Sequence, residues 1–344
     1  MKNNESEFFE DSEDSLVSEQ DRNMFELVNL VVISSGIAVV GVVSNVINIL
    51  VFYRQGLNST VNISFTGLAV SDLCSLITLL CFNLFENPYF AKSGVPLLAS
   101  EFQHLTCGFP HACFTRITSW ITVYITAERC LCIALPLKVH RIITPRQTTL
   151  TIVIIYVWMI VSLLPEYVTV YIDWKFVAIL NRTVLGLAFT SDRPRVDGLS
   201  FMLYSIYMLV SFFAVVILTS VLFVKLKRNS ERRKEVTNNT HPGSTVRDKK
   251  TLRMVVVIAS VLIVTFTPQV VIFTAGFIEP GFSVVGRYAN LFFVSWSFCF
   301  VFDAINSTAN IVLYYKMSTK YRDTFRDIFS ACIAEETQRF PTKK

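Results

Sequence analysis

A single carboxylate, Asp72, lies within an apolar stretch of the sequence, in Leu68-Ala-Val-Ser-Asp72-Leu. An ionisable group in such surroundings is costly and is therefore a functional candidate. Other apolar stretches contain neutral polar residues that could surround it: Asn45, Thr118, Asn306, Ser307 and Asn310. If these side chains face one another, they form a polar core of oxygen ligands suited to a sodium ion and waters. A hydrogen-bonded structural network without an ion is the alternative.

A second group of residues has the chemistry of a switch. Glu128 and Arg129 stand near the end of one apolar stretch, and Asp248 precedes a later one. An Arg129–Asp248 ion pair would hold the two stretches together, and its separation would open a cleft, so the pair could control two states. An arginine that only reaches toward lipid headgroups is the alternative.

Pro268 interrupts the later of these two stretches within Phe266-Thr267-Pro268. A proline removes one backbone hydrogen bond from a helix and permits a kink. At this position the kink could convert a small change at one end of the helix into a swing of the other end. A passive kink is the alternative.

The apolar residues are bunched into runs long enough to cross a bilayer. The chain is 52% hydrophobic and 17% charged, where a soluble domain usually has about a quarter of its residues charged. Seven runs are evident: roughly 27–53, 61–85, 105–134, 148–171, 199–226, 251–278 and 288–315. Backbone groups in lipid must be paired within the segment, so these runs are helices. The sequence therefore predicts an all-α membrane protein with a seven-transmembrane helix bundle.

The charges of the connecting segments predict the orientation of the bundle. Alternate segments, at 54–60, 135–147, 227–250 and 316–344, contain nineteen basic and seven acidic residues. The remaining segments, at 1–26, 86–104, 172–198 and 279–287, contain eight basic and fifteen acidic residues. Basic residues favour the cytoplasmic side, so we expect an extracellular N-terminus in the plasma membrane. The net charge of +5 hides this split and gives no reason to expect nucleic acid as a partner.

The chain divides into one membrane domain with two tails. Residues 1–26 are predicted to be a disordered acidic extracellular tail. The membrane domain covers 27–315, with its long cytoplasmic loop at 227–250. Residues 316–330 are predicted to form an amphipathic helix on the inner surface of the lipid bilayer. A cytoplasmic tail follows at 331–344, where Cys332 could be palmitoylated or could be a free thiol.

The outer segments contain two acceptor sites for N-linked glycans, Asn4 and Asn181. Cys107 lies near the outer surface, and the segment 172–198 has no cysteine that could pair with it. The other cysteines within the runs are most simply small apolar core residues. The four histidines are scattered and predict no metal site. No cofactor is expected apart from a sodium ion at Asp72.

Several motifs, in order along the chain, resemble those of the rhodopsin-like (class A) family of G-protein-coupled receptors. They are Gly41-Val-Val-Ser-Asn45, Leu68-Ala-Val-Ser-Asp72, Glu128-Arg129-Cys130, Trp158, Pro268 and Asn310-Ile-Val-Leu-Tyr314. Two longer stretches, 128–139 and 306–317, look like invertebrate orphan receptors, molluscan ones among them, some of which are proposed to be chemosensory or neuropeptide receptors. The resemblance covers residues 27–330 and implies a receptor for an extracellular peptide or small chemosensory molecule.

The resemblance also implies a mechanism and a ligand pocket. The sixth helix would move outward and expose Arg129 to a heterotrimeric G protein, with Tyr314 as a further switch residue. The pocket would be lined by His111, Thr115, Arg116, Phe266, Gln269, Trp296 and Asp303. We hypothesise that Arg116 and Asp303 either pair with each other or hold opposite ends of a zwitterionic or peptide ligand. Serines and threonines in 227–251 and 318–342 are candidate targets of a receptor kinase and arrestin.

The chain departs from the family pattern at several positions. Ile311 replaces the proline of the motif in the seventh helix, and Phe266 replaces the usual tryptophan below the pocket. The fifth helix lacks its proline and its inner tyrosine. The usual disulfide between the third helix and the second outer loop cannot form, because that loop has no cysteine.

Other classes of heptahelical protein fit less well. A retinal protein needs a lysine in the seventh helix, and 288–315 contains none. An enzyme would need a catalytic or metal constellation, which the sequence lacks. A transporter would show inverted repeats or broken helices, and neither is evident. A transporter, or a heptahelical protein without G-protein coupling, is the alternative to the receptor.

Overall fold

The computed structural model of the protein describes residues 16–91, 93–135, 143–177, 181–235 and 243–339. Eight long helices follow one another: α1 (Ser35–Arg54), α2 (Thr60–Glu86), α3 (Phe109–Ala134), α4 (Pro145–Val161), α5 (Arg193–Glu235), α6 (Gly243–Ile278), α7 (Ala289–Met317) and α8 (Thr319–Arg339). Two strands, β1 (Val170–Val177) and β2 (Arg182–Phe189), lie between α4 and α5. Short helical pieces cover Pro88–Ala91, Ala99–Gln103 and Leu164–Val168.

Six helical segments of the described chain are long and apolar enough to cross a membrane. They are Glu19–Arg54, Thr60–Glu86, Pro145–Val168, Arg193–Arg228, Lys250–Ile278 and Ala289–Met317. The seventh, α3, is equally long but contains Arg116, Glu128 and Arg129. It packs against α2, α4, α5 and α6 and buries most of its polar side chains. Helices α1–α7 therefore form the seven-helix bundle that the sequence predicts, with the polar helix inside.

The outer surface of the bundle is apolar, as lipid requires. Val39, Val40 and Val43 on α1 are more than half exposed, and Trp158 on α4 is 60% exposed. A soluble protein rarely leaves such large apolar patches uncovered. The tryptophan that resembles the family's fourth-helix residue therefore faces outward, toward lipid.

The first helix begins earlier than the sequence predicts. Residues Glu19–Glu26 are helical and continue through a π-helical stretch, Leu27–Ser34, into α1. Ser18 caps this helix by accepting a hydrogen bond from the Asp21 amide, and the Arg22 guanidinium lies 3.9 Å from the centre of the Phe293 ring. The expectation of disorder throughout 1–26 is therefore wrong for 19–26, because contacts with α7 stabilise the helix. Residues 1–15 lie outside the described residues.

The connection between α4 and α5 is a β-hairpin, which the sequence analysis did not predict. Strands β1 and β2 are antiparallel and pair from Val170 with Phe189 to Val177 with Arg182. The predicted fourth span, 148–171, is thus too long at its outer end. The helix ends at Val161, and Pro165, which has no amide hydrogen, lies in the short helical piece that follows.

Three other boundaries differ from those predicted. The helical region of the third span starts at Ala99, and α5 starts at Arg193, where Pro194 suits the first turn. Helix α6 begins at Gly243, so the last part of the predicted loop 227–250 is helical. Residues 236–242 lie outside the described residues.

Close packing joins α1 to α7, and aromatic packing extends along α8. On α1, Gly41 lies so close to α7 that a Cβ would collide with the Thr308 hydroxyl. On α8, Tyr321 is buried, and Phe325 stacks between it and Phe329, with ring centroids 6.4 and 4.5 Å away. Helix α8 thus presents one aromatic face along a helix that extends beyond the predicted end at residue 330.

Candidate functional site

Asp72 lies at the centre of the bundle on α2 and is fully buried. Thr118 on α3 donates to Oδ1 at 2.9 Å, and Asn310 on α7 donates to Oδ2 at 2.8 Å. Ser307, one turn before Asn310, lies beside the same carboxylate. The partners come from two helices other than its own, so this carboxylate links α2 to α3 and α7. Within the described chain, no ion pair involves Asp72.

A second set of hydrogen bonds links α1 to α7 and α8. The Asn45 amide donates to the carbonyls of Ser307 at 2.8 Å and Gly41 at 3.0 Å. Asn48 donates to Asn45 Oδ1 at 3.2 Å, and the Tyr321 hydroxyl donates to Asn48 Oδ1 at 2.6 Å. Burial raises the pKa of the Tyr321 hydroxyl, which therefore remains a donor.

Helix α6 is attached to the polar core around Asp72 more weakly than α1, α3 and α7 are. Its Thr265 hydroxyl lies 3.4 Å from Asn306 Oδ1 on α7, which is a long hydrogen bond. Its contact with α5 is apolar and involves Phe212, Val215, Ala259, Leu262 and Phe266. Apolar contact is not directional, so it resists a sliding movement of α6 less than a hydrogen-bonded network does.

Near the C-terminal end of α3, Arg129 pairs with its neighbour Glu128. Their Nη2 and Oε1 atoms are 2.6 Å apart, and the side chains are 14% and 2% exposed. The predicted partner Asp248 belongs to α6 by its backbone, and its side chain lies outside the described residues.

Tyr314 on α7 is buried one turn beyond Asn310, next to the polar core. Its ring packs against Phe52 and Phe65, with both centroid distances 5.0 Å, and against Tyr321 at 5.5 Å. Among the described residues its hydroxyl has no hydrogen-bond partner. Aromatic packing, rather than a polar bond, therefore holds the side chain in place.

A cluster of charged and polar side chains lies in the outer half of the bundle. His111 Nε2 on α3 is 3.4 Å from Asp303 Oδ2 on α7, and Gln269 on α6 donates to the same oxygen at 2.8 Å. Arg116 Nη1 on α3 approaches Gln269 Oε1 at 3.4 Å. We call His111, Arg116, Gln269 and Asp303 the outer cluster. All four are buried, at 5% exposure or less.

Gln269 lies between the two charges of the outer cluster. Within the described chain, Arg116 and Asp303 make no direct ion pair, and each contacts the Gln269 amide instead. Arg116 Nε and Asp303 Oδ1 are buried without hydrogen-bond partners among the described residues. Buried unpaired groups carry a large desolvation cost, so these atoms are candidates for ligand contacts.

The remaining predicted pocket residues surround the outer cluster. The Arg116 guanidinium lies 6.0 Å from the centre of the Phe266 ring. Thr115 is buried and donates to the carbonyl of Ala112 at 2.9 Å within its own helix. Trp296 is only partly buried, and its ring packs against Phe273, Phe292 and Phe300. The structure therefore brings His111, Arg116, Gln269, Asp303 and Phe266 together, while Trp296 belongs to the aromatic wall above them.

The β-hairpin is attached to the outer end of the third helical region without a disulfide. Lys175 Nζ on β1 lies 3.0 Å from Glu101 Oε1, and the Leu187 amide on β2 donates to the same carboxylate. The Leu98 amide and the Leu185 carbonyl pair at 2.9 Å. A Cβ at Gly186 would lie 2.9 Å from both Glu101 and Lys175, so glycine permits this close approach.

Several of these partners were missed from the sequence. Asn48 and Ser75 stand three residues after Asn45 and Asp72, a spacing that places them on the same helix face. Ser75 lies 3.2 Å from His111 Nδ1 and so connects the outer cluster to α2. The sequence gives no indication that Glu101 holds the hairpin, because its partners are 74 and 86 residues away along the chain.

The predicted modification sites are only partly described. Asn181 is exposed at the turn before β2 and adopts a positive φ of 47°, which asparagine tolerates better than most residues. Asn4 lies outside the described residues. Cys332 belongs to α8, but its side chain lies outside the described part of the chain.

Comparison with known proteins shows which proteins this chain resembles. The family model described as "Serpentine type 7TM GPCR chemoreceptor Srw" matches residues 32–332. The rabbit (Oryctolagus cuniculus) growth hormone secretagogue receptor type 1 is 28% identical over 294 residues, which is 83% of this chain and 76% of that protein.

Two further relatives extend the comparison. The galanin-like G-protein coupled receptor npr-9 of Caenorhabditis elegans is 24% identical over 314 residues, covering 84% of this chain and 70% of the relative. The trace amine-associated receptor 365 of Petromyzon marinus is 24% identical over 344 residues, covering 94% and 84%. The similarity therefore extends over the whole helical bundle.

Proposed function

The chain belongs to the serpentine type 7TM GPCR chemoreceptor family Srw, and from this premise we propose that it binds an extracellular ligand and activates a heterotrimeric G protein by an outward movement of α6. Its family and relatives are receptors and not enzymes. The observation that supports the proposed movement is the weak attachment of the part of α6 before Pro268, where Thr265 makes a long hydrogen bond to Asn306 and the contact with α5 is apolar. The part after Pro268 is held more firmly, because Gln269 donates to Asp303 at 2.8 Å.

The mechanism is a shift between two states. In the closed state Glu128 holds Arg129 along α3, and α6 packs over the cytoplasmic end of the bundle. A ligand that binds the open state more tightly shifts the population toward it. When α6 moves outward, Arg129 and the basic inner segments become accessible to the Gα subunit. The receptor then promotes nucleotide exchange on its partner.

A cell-based exchange assay tests this proposal. Cells expressing the chain with a promiscuous Gα subunit are exposed to amidated peptides and small odorants, and nucleotide exchange on Gα is measured. We expect at least one ligand to raise exchange, and Arg129→Ala to abolish that response at equal surface expression. A transporter, or a heptahelical protein without coupling, would give ligand uptake or binding without any exchange and would contradict the proposal.

We propose that the ligand carries a negatively charged or strongly polar group that contacts Arg116 and an amine or amide that contacts Asp303. Each residue has one buried polar atom without a partner, and Gln269 keeps the two charges apart. A zwitterion or the backbone of a peptide has both kinds of group. The names of the secretagogue and galanin-like relatives are consistent with peptides, although the ligand class rests on the outer cluster.

Arg116→Ala tests the ligand contact. Loss of a charged hydrogen bond of about 1.5–3 kcal/mol should lower potency by roughly tenfold or more. Arg195→Ala, which removes an exposed arginine near the start of α5, is the matched control and should leave potency unchanged. Unchanged potency of Arg116→Ala at normal surface expression would exclude the contact.

We also propose that a sodium ion binds beside Asp72. The carboxylate is fully buried and its partners Thr118 and Asn310 are neutral, so its charge lacks a counterion among the described residues. Oxygens of Asp72, Thr118 and Ser307 would hold the ion, which would supply that missing charge. A melting temperature that rises in sodium over choline, and no longer does so in Asp72→Asn, would support the site. Equal melting temperatures in both salts would contradict it.

Family membership also implies further partners on the inner side. We propose that a receptor kinase phosphorylates serines and threonines in 227–251 and 318–342 and that arrestin binds the product. Glycans at Asn4 and Asn181 and a palmitoyl group at Cys332 belong to the same proposal, because each lies on the side of the membrane where that modification occurs. Mass spectrometry of the receptor purified from stimulated cells would detect these groups or show that they are missing.

A further inference from the structure

Two cysteines from different helices approach each other near the outer end of the bundle. Cys81 lies on α2, and Cys107 lies in the π-helical turn His104–Gly108 that leads into α3. Their Sγ atoms are 2.6 Å apart, which is within about 0.6 Å of the length of a disulfide bond. The sequence pattern indicates no partner for Cys107, because Cys81 lies within an apolar run and resembles a small core residue there.

Neighbouring residues hold Cys81 and Cys107 close to each other. Cys107 is completely buried and packs in one cluster with Leu30 and Phe82. One level further out, Gln103 donates to Glu86 at 2.6 Å, joining the same two helical regions. On the other side of the pair, Ser75 on α2 lies 3.2 Å from His111 Nδ1 on α3. Contacts therefore hold the helices together on both sides of the two sulfur atoms, and the close approach does not depend on one flexible side chain.

We propose that Cys81 and Cys107 form a disulfide that joins α2 to the start of the third helical region. This rests on the orientation in the proposed function, because the pair faces an oxidising compartment only if this end of the bundle is extracellular. Two thiols lose two protons and two electrons and form one S–S bond. A disulfide oxidoreductase of the secretory pathway accepts them by thiol–disulfide exchange, and its own disulfide becomes two thiols.

The cross-link would act where the chain lacks the family's usual one. It would close a loop between positions 26 residues apart, which contains the whole first outer connection. A closed loop restricts the unfolded chain and so favours the folded state. It would leave the β-hairpin free of covalent attachment, because the hairpin is held by Glu101. The outer ends of α2 and α3 would be fixed, while the hairpin could still move.

Differential alkylation of the full-length receptor tests the bond directly. The purified protein is denatured and treated with N-ethylmaleimide with and without prior reduction, and peptides are identified by mass spectrometry. We expect Cys81 and Cys107 to react only after reduction, giving two additional adducts. Cys113 and Cys299, which are buried elsewhere in the bundle, are the internal controls and should react in both samples. Equal labelling of Cys81 and Cys107 without reduction would overturn the proposal.

Serine variants provide a second measurement. If the sulfurs are bonded, Cys81→Ser, Cys107→Ser and the double variant should lower the melting temperature by the same amount, because each removes the same bond. Cys113→Ser is the matched control for loss of a buried thiol. Losses that add in the double variant would indicate two independent thiols and would overturn the bond.

Failure of this inference can be told apart from failure of the proposed function. If Cys81 and Cys107 are free thiols in a chain that still drives nucleotide exchange on Gα, the disulfide proposal is wrong and the proposed receptor function stands. An intact disulfide in a chain that never drives exchange would support the bond and contradict the function.

Discussion

Gln269 shows how one neutral residue changes the chemistry of a buried pair of charges. The sequence offered two possibilities for Arg116 and Asp303, a direct ion pair or two separate ligand contacts. The structure places the Gln269 amide between them, with its oxygen toward Arg116 and its nitrogen toward Asp303. His111 Nε2 lies 3.4 Å from the same oxygen of Asp303. The charges thus remain separated and each retains an atom that a ligand could contact.

Arg129, near the C-terminal end of α3, has its ion-pair partner on its own helix and not across the bundle. Its partner within the described chain is Glu128, the preceding residue, and the pair lies on a single helix. Such a pair restrains the arginine without joining two helices. A latch between α3 and α6 would need Asp248 as well, and that part stays a prediction.

Glu128→Gln should raise ligand-independent signalling. The change removes the charge that holds Arg129 in the closed state, at a cost of about 1–2 kcal/mol to that state, or roughly a fivefold to thirtyfold shift in the equilibrium. Basal nucleotide exchange on Gα, normalised to surface expression, measures the effect. Asp248→Ala should raise basal exchange too if the latch between α3 and α6 exists.

The matched control is Asp323→Asn, which removes an exposed carboxylate on α8 and should leave basal exchange unchanged. Wild-type basal exchange in Asp248→Ala would count against the Arg129–Asp248 latch alone. Wild-type exchange in Glu128→Gln would show that the Glu128 pair does not restrain Arg129.

At the scale of elements, the β-hairpin and the N-terminal helix are the parts that the hydropathy pattern missed. Both lie at the outer end and both depend on contacts from distant residues. Glu101 holds β1 and β2 through Lys175 and the Leu187 amide. The N-terminal helix packs on α7, where Asn290 donates to the carbonyl of Val17 at 3.0 Å.

Glu101→Gln should loosen the hairpin without unfolding the bundle. The ion pair is partly exposed, with Lys175 35% and Glu101 25% exposed, so its loss together with the weakened backbone bond should cost about 1 kcal/mol locally. Hydrogen–deuterium exchange should rise at the Leu187 amide and along β2. The control Asp173→Asn changes an exposed carboxylate on β1 and should leave the exchange of β2 unaltered.

An unchanged exchange rate at Leu187 in Glu101→Gln would mean that the pairing of Leu98 with Leu185 is sufficient to hold the hairpin. A loss of exchange protection throughout α2 and α3 would contradict the local effect.

At the scale of the whole molecule, the distribution of charge predicts how the bundle sits in the membrane. Long apolar helices with exposed apolar surfaces require lipid, and family membership makes the chain a multi-pass membrane protein. The excess of basic residues in 54–60, 135–147, 227–250 and 316–344 predicts that those segments lie in the cytoplasm. The outer cluster and the hairpin would then face the extracellular side.

Epitope tags at the two ends of the chain should report this orientation. In intact cells an antibody should bind a tag at the N-terminus, and a tag at the C-terminus should become accessible only after the membrane is permeabilised. The permeabilised sample of the N-terminal tag serves as the control for expression. If the C-terminal tag is accessible in intact cells, the orientation is opposite to the predicted one, and this result would contradict the proposed function.

The sequence alone predicted the class of the molecule and much of its inner chemistry. Hydropathy predicted a helical bundle, and the ordered motifs predicted a rhodopsin-like receptor, which the family match confirms. The residues proposed to surround Asp72 were visible as polar positions inside apolar runs. These properties depend on local composition or on the order of motifs, and so they can be read along the chain.

Only the tertiary structure decided which residues touch. Four features depend on contacts between separate parts of the chain. They are the Gln269 bridge, the attachment of the hairpin to Glu101, the approach of Cys81 to Cys107 and the helix at 19–26. Their geometry is set by how the helices pack, because a side chain's partner across the bundle depends on helix rotation and depth. Hydropathy averages over both quantities, and therefore the sequence defined the helices while their packing defined the site.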